Sequence, residues 1–269
     1  MPLPLQPRPR PRVVVVLAAG KGTRMNSPLP KVLHRAAGRP LLEWVLRAAV
    51  AAAVERILVV VGYGAEEVKE TVGRAFRDLG KGGEIGWVLQ AEQKGTGHAL
   101  AQAEEPLGGA PATLLVLSGD VPLVTPATLE RLARSLEGGS WGALATAEPD
   151  DPGALGRVVA RPGAERAEAL ERIVEARDAT PAELAIRRIN AGLYALPAPE
   201  IFAYLRRLTT HNAQGELYLT DALNLAAAEG NEIRLLPLAD PREALGVNDR
   251  AELAQAEARL RDRGAADAR

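Results

Sequence analysis

Short apolar runs and amphipathic stretches alternate through the first half of the chain. RVVVVL at 12–17, RILVVV at 56–61, EIGWVL at 84–89 and ATLLVL at 112–117 are short continuous runs rich in valine and leucine. A strand with one solvated face alternates apolar and polar positions, whereas a continuous run fits a strand covered on both faces. Helical periodicity marks 40–53, 65–79 and 96–104 between them. Strands separated by helices predict right-handed parallel crossovers, hence an α/β fold with a doubly wound, mostly parallel, Rossmann-like sheet. Ligands in such sheets bind beyond the carboxyl ends of the strands. The loop after 12–17 and the SGD at 118–120 are expected to meet there.

The texture changes near 141. WGALATAEP predicts another strand, GRVVARPG and ALERIVEA two shorter ones around a Pro-Gly turn, and AIRRINAGLYAL a further one. Together they predict a small antiparallel insertion or lid, a common place for substrate specificity. Helices over 198–208 and 219–229 follow, then a strand at EIRLLPL, then after 249 a charged amphipathic helix fraying into a polar tail. At the other end, MPLPLQPRPRPR alternates proline with other residues and predicts an extended, solvated leader. The expected organisation is a disordered leader over 1–11, one α/β domain over 12–250, and a helix and tail over 251–269.

Composition narrows the function classes. A net charge of −1 over 269 residues argues against broad binding to nucleic acid or membrane surfaces. The absence of cysteine removes disulfides, thiolate catalysis and Cys-based zinc sites, and fits a cytoplasmic protein. His34, His98 and His211 lie far apart without ligand spacing, and His98 is expected to pack or bond at a helix start.

The chemistry concentrates in the loop after the first strand, LAAGKGTRMNSPLPK at 17–31. A Walker loop needs G-x-x-x-x-G-K-[ST], and here Gly20 and Gly22 are too close together. A dinucleotide fingerprint needs G-x-G-x-x-G, and Met25 occupies the third glycine position. The loop nevertheless suits phosphate. Two glycines can aim backbone N–H groups at an anion, Arg24 offers a planar fork of donors, and Lys31 supplies a mobile point charge behind the stiffening Pro28 and Pro30.

The string L-A-A-G-K-G-T-R-M followed by P-K resembles the signature of the sugar-1-phosphate nucleotidylyltransferases. LQAEQKGTGHA at 89–99, SGDVPL at 118–123, RIVEARDAT at 172–180, INAGLY at 189–194, NAQGELYLTD at 212–221 and GVNDR at 246–250 continue the resemblance in order. They are most similar to the pyrophosphorylase domains of the bacterial bifunctional N-acetylglucosamine-1-phosphate uridylyltransferases. The resemblance implies transfer of UMP from UTP to N-acetylglucosamine-1-phosphate, with Mg2+ as cofactor, UDP-N-acetylglucosamine and pyrophosphate as products, and a place in cell-wall precursor synthesis.

By that resemblance Leu17, Ala18, Ala19 and Gly20 line the nucleotide through their backbone, with Ser118 and Gly119 beside them. Arg24 stabilises the triphosphate and the departing pyrophosphate, and Lys31 bridges to the reacting phosphates. Gln90, Gly95 and Thr96 correspond to the uracil-recognition segment, Asp120 and Asn248 to the magnesium ligands, and Gly156, Glu175 and Asn190 to the sugar site. Joining two polyanions calls for cations, backbone donors and a metal held by few protein ligands, so the implied set is chemically coherent.

The chain departs from that pattern in three ways. Leu155 stands where the family usually has an aromatic residue and Ser118 where it usually has tyrosine, which bears on sugar identity. Residues 251–269 contain no hexapeptide repeat, so transfer of acetyl from acetyl-coenzyme A is not expected. The alternatives are the same fold with another sugar-1-phosphate or nucleotide, including glucose-1-phosphate uridylyl or thymidylyl transfer and molybdopterin guanylyl transfer, or a non-catalytic nucleotide-sugar-binding subunit. Gln90 with Gly95 and Thr96 favours uracil, and the joint presence of Arg24, Lys31, Asp120 and Asn248 favours catalysis.

Overall fold

The computed structural model describes residues 10–77, 85–164 and 167–267. The expected leader lies outside them as far as residue 9, as do residues 78–79 of the second expected helix, Glu84 of the third strand and the last two residues of the tail. The chain runs through β1 (Arg12–Ala18), a small hairpin of β2 (Arg35–Ala36) and β3 (Arg39–Pro40), α1 (Leu41–Ala51), β4 (Arg56–Val61), α2 (Ala65–Arg77), β5 (Ile85–Leu89), α3 (Thr96–Ala101), α4 (Glu104–Leu107), β6 (Ala112–Ser118) and α5 (Pro126–Glu137). It continues through β7 (Gly142–Ala147), β8 (Arg157–Pro162), β9 (Glu168–Val174), α6 (Pro181–Leu184), β10 (Ile189–Ala198), α7 (Glu200–Leu205), α8 (Leu219–Ala228), β11 (Ile233–Pro237) and α9 (Arg250–Asp267). Among the described residues no helix is long and apolar enough to cross a membrane.

Nine strands form one sheet in the order β5-β4-β1-β6-β10-β7-β11-β9-β8. The four apolar runs of the first half pair in parallel, with β1 between β4 and β6. Their continuous hydrophobicity has the expected cause. Val14 and Val16 face a core filled by α1, α2 and α5, while Val13 and Val15 face a second core on the other side, filled by α3, α7 and α8. Fully burying one such side chain is worth about 1.5–3 kcal/mol, so two-sided burial roughly doubles what a strand contributes. The chain winds outward from β1 to β4 and β5, then returns to β6 on the other side of β1. The strand order therefore reverses between β1 and β6, where the Gly119 N–H donates to the Leu17 carbonyl at 2.9 Å.

The second half corrects the expected lid. From Ile189 onward the AIRRINAGLYAL segment is a central strand, β10, between β6 and β7 and antiparallel to both. Leu193 to Leu196 are buried on both faces, the same environment that makes the parallel strands apolar. Only the β8–β9 hairpin remains peripheral, at the sheet edge beyond β11. The sheet is thus parallel through its first four strands and mixed beyond them.

Helix α5 has no counterpart among the expected elements, although its signals are present. Thr125 accepts a capping bond from the Thr128 N–H, Pro126 opens the helix, and Leu129, Leu132 and Ala133 are buried at helical spacing. The C-terminal helix α9 is anchored as well. Its Ala256 and Leu260 pack with Ala36, Leu41, Leu123 and Val247 in a third cluster, and the Arg263 guanidinium donates to the Leu123 carbonyl at 2.9 Å.

Candidate active site

The reversal of strand order opens a cleft, and the loops leaving β1, β5 and β6 line it. Leu17, Ala18, Ala19, Gly20, Lys31, Gln90, Gly95, Thr96, Ser118 and Asp120 all face it, joined by Val32, Gln93, Ala99 and Glu216. Gly119 does not. A Cβ there would lie 3.1 Å from the Ala18 Cβ and 3.2 Å from Val32, so this glycine permits close packing of β6 on β1. Arg24 also lies outside the lining, exposed on a 3-10 turn over Thr23–Met25, with no hydrogen-bond or ionic partner among the described residues.

The two glycines of the opening loop differ. Gly22 has φ +67°, and a Cβ on it would meet the Lys31 Cβ at 2.5 Å. Gly22 is therefore required for the loop to fold over Lys31. Gly20 is exposed, lines the cleft, and has nothing within 4 Å of where its Cβ would be. Lys31 reaches inward. Its ammonium pairs with the Asp120 carboxylate and donates to Asn248 Oδ1 at 2.9 Å.

Two residues 128 positions apart in sequence thus converge on a single cationic group. Backbone geometry fixes them. The Val247 N–H donates to the Asp120 carbonyl at 2.9 Å, which ties the GVN loop to the end of the SGD turn. The Asn248 N–H donates to Glu252 Oε2 at 2.6 Å, and Asp249 Oδ1 accepts from the N–H groups of Ala251 and Glu252, both at 2.9 Å. The start of α9 is therefore part of what holds Asn248. A carboxylate and an amide oxygen reaching one point are the hard donors a magnesium-sized cation takes, with its remaining positions left to water and phosphate.

At the other end Gln90 is buried at 3% exposure. Its amide Nε2 lies 3.2 Å from the Gly95 carbonyl and 3.0 Å from His98 Nδ1. Gly95 has φ +106°, and a Cβ there would lie 2.7 Å from the Leu217 carbonyl. This glycine lets the segment lie against the start of α8. The Leu219 N–H donates to Thr96 Oγ1 at 3.0 Å, and Leu217 exchanges bonds with Lys94 and Gly97, both at 2.8 Å.

The sugar residues implied by resemblance also come together. The Asn190 N–H donates to the Gly156 carbonyl at 2.9 Å, and a Cβ on Gly156 would lie 3.4 Å from Glu175 Oε2. Burial raises the Glu175 carboxyl above the usual carboxylate range, against a hydrogen bond from Thr220 Oγ1 at 2.8 Å that favours the ion. Asn190 is oriented by its own bonds. Its Nδ2 donates to the Tyr194 hydroxyl at 2.7 Å, and its Oδ1 accepts from the Gly192 N–H at 2.9 Å. Leu155 is exposed beside Gly156.

Sequence reasoning missed Thr220, Tyr194 and Arg157. The guanidinium of Arg157, buried at 4% exposure, donates to the carbonyls of Leu155 and, at 3.1 Å, of Gly153, shaping the turn that carries Gly156. A buried arginine has no local signature. The NAQGELYLTD string does contain Thr220, without indicating that it reaches a glutamate 45 positions away.

The family described as MobA-like NTP transferase domain matches residues 14–219. The bifunctional protein GlmU of Pelotomaculum thermopropionicum is 46% identical over 249 residues, covering 92% of this chain and 51% of that protein. GlmU of Burkholderia multivorans is 45% identical over 252 residues, covering 94% and 52%. The chain spans about half the length of these curated relatives. A UDP-glucose pyrophosphorylase complexed with UDP-glucose shares the fold, with a TM-score of 0.76 and 20% identity over 94% of this chain and 99% of that one. A UTP-bound UGPase from Acinetobacter baumannii has a TM-score of 0.67 and 20% identity over 93% of each. The match over 14–219 takes in both the phosphate loop and the Gln90 end of one cleft, and with it the chain belongs to the MobA-like NTP transferase domains and is a nucleotidyltransferase.

Proposed function

We propose that the chain transfers UMP from UTP to a sugar-1-phosphate, with N-acetylglucosamine-1-phosphate as the preferred acceptor, and releases pyrophosphate. The observation that carries this reading is the convergence of Lys31, Asp120 and Asn248 at one end of a cleft whose other end is built from Gln90 and Gly95. The sugar-phosphate oxygen bonds to the α-phosphorus as the bond from that phosphorus to the pyrophosphate oxygen breaks. The acceptor is already an ionised nucleophile, so no general base is needed, and the protein's contribution is position and charge.

The backbone of 17–20 holds the nucleotide, Lys31 meets phosphate oxygens, and Arg24, exposed beside the cleft, meets the charge that develops on pyrophosphate. Asp120 and Asn248 would hold magnesium, which neutralises phosphate oxygens when bound. Glu175, Asn190 and Gly156 receive the sugar. Leu155 and Ser118, which depart from the resembling sequences, support glucose-1-phosphate as a second acceptor.

Pyrophosphate release, measured across UTP, CTP, GTP and dTTP against N-acetylglucosamine-1-phosphate, glucosamine-1-phosphate and glucose-1-phosphate with magnesium, tests the reading. The largest kcat/KM is expected for UTP with N-acetylglucosamine-1-phosphate. A preference for GTP overturns the uridylyl assignment, and a preference for glucose-1-phosphate makes the second acceptor the first. Asp120→Ala should lower turnover by roughly 10²–10³ while the thermal transition persists. Full activity of that variant, or of the parent in chelator, would remove the metal from this account.

A further inference from the structure

The Gln90–His98 contact has a consequence for how the base is read. Gln90 Nε2 lies within hydrogen-bond reach of the Gly95 carbonyl and of His98 Nδ1. A carbonyl only accepts, so the atom beside it must be the NH2 group, and that group has two protons. The second proton needs an acceptor, so His98 Nδ1 must be unprotonated and the ring must carry its proton on Nε2. The amide of Gln102 also approaches the ring, with its Nε2 at 3.2 Å from His98 Nε2. A neutral imidazole has one acceptor and cannot satisfy two amide donors. Gln90 is buried at 3% exposure and an unmet donor there is costly, whereas Gln102 is half-buried and also bonds the His98 carbonyl at 3.1 Å. Gln90 therefore takes the acceptor.

We infer that His98 is a positioning residue that sets base selectivity by locking the Gln90 amide. Both N–H groups of Gln90 are used inside the protein, and among the described residues no donor reaches its oxygen. Gln90 lines the cleft, so it presents an acceptor alone. Uracil has a single donor on its pairing edge, N3–H, and an acceptor-only amide matches it. Cytosine carries a bare, accepting N3, which an amide oxygen at that position repels. Without the His98 acceptor, one amide N–H is left unmet and the Gly95 carbonyl alone opposes a rotation that offers the NH2 to cytosine instead.

This inference rests on UTP being the donor, and the test separates the two. The readout is the ratio of kcat/KM for UTP to that for CTP, in the parent, His98→Leu and His98→Asn. Leucine removes the ring acceptor, whereas the asparagine oxygen falls near the Nδ1 position. The ratio is expected to drop at least about tenfold in His98→Leu and to recover in His98→Asn. A purely structural role would lower both nucleotides together and leave the ratio unchanged. The 15N spectrum of the labelled parent supplies a second readout, with three histidines to assign. It is expected to show His98 protonated on Nε2 and bare on Nδ1. An unchanged ratio in folded His98→Leu, or a proton on Nδ1, overturns the inference. Should His98→Leu not fold, His98→Asn and the tautomer decide. A parent that prefers another base overturns the uridylyl reading, and the tautomer then judges the lock alone.

Discussion

Gly20 and Gly22 sit two positions apart in one loop and should fail differently when changed. Gly22→Ala puts a Cβ 2.5 Å from Lys31 at a φ of +67°. It should lower stability by about 1–2 kcal/mol and, by moving Lys31, turnover by about 10²-fold. Gly20→Ala meets no protein atom within 4 Å, so its melting temperature should stay near the parent's while turnover falls. Equal melting shifts in both variants would contradict the distinction. Glu175 gives a pH-dependent test. Its folded-state pKa is raised chiefly by burial, so the native state holds this proton more tightly than the unfolded chain does. The stability from this group is fully present below its unfolded pKa and is lost as pH rises through the folded pKa. Glu175→Gln keeps the Thr220 bond without the charge. Melting curves should show the variant gaining on the parent as pH rises across that window and then holding a constant advantage. A gap that does not change with pH would show that folding does not raise the Glu175 pKa.

At the scale of elements, α9 is where sequence and structure diverge in consequence. As a charged helix after the last motif, it suggests that residues 252–269 can be removed with turnover nearly intact. The structure shows Glu252 accepting the Asn248 N–H at 2.6 Å, with Ala256 and Leu260 inside the third core cluster. Deleting 252–269 should therefore lower the melting temperature and cost about tenfold or more in turnover, and Glu252→Ala should reproduce most of the turnover loss with less effect on melting. Unaltered kinetics in both would return α9 to a purely packing role. Other elements were legible in proportion to how local their cause is. The apolar strands announced themselves because both their faces are buried, and the strand-end loops announced the cleft because strand ends are where such sheets bind ligands. Strand β10 was visible as a strand but not as a central one, because sheet order is set by partners such as Leu114 and Leu144 far away in sequence. Thr220, Tyr194 and Arg157 were invisible for the same reason, since each acts through a contact that only the fold creates.

On the scale of the whole molecule, one sheet separates two apolar layers and brings an early segment and a late one to a shared cleft. The proposed base site comes from β5 and the start of α3, and the proposed sugar site, whose residues are not among those lining that cleft, from β8, β9 and β10. They are not independent. Thr96 accepts the Leu219 N–H at 3.0 Å, and the next residue, Thr220, bonds Glu175 at 2.8 Å. The opening turn of α8 therefore touches both the cleft and the proposed sugar site. In thermodynamic terms, ordering either site lowers the cost of ordering the other, so the two substrates should bind with a heterotropic coupling free energy. Coupling of this kind is reciprocal: whatever factor saturating UTP applies to the dissociation constant of a non-reactive sugar-phosphate analogue, the analogue must apply to UTP. Calorimetric titrations in both orders should return the same factor. Thr96→Val, which removes the acceptor for Leu219, should bring that factor toward one while changing each separate affinity less, and the enzyme would then bind its two substrates as strangers.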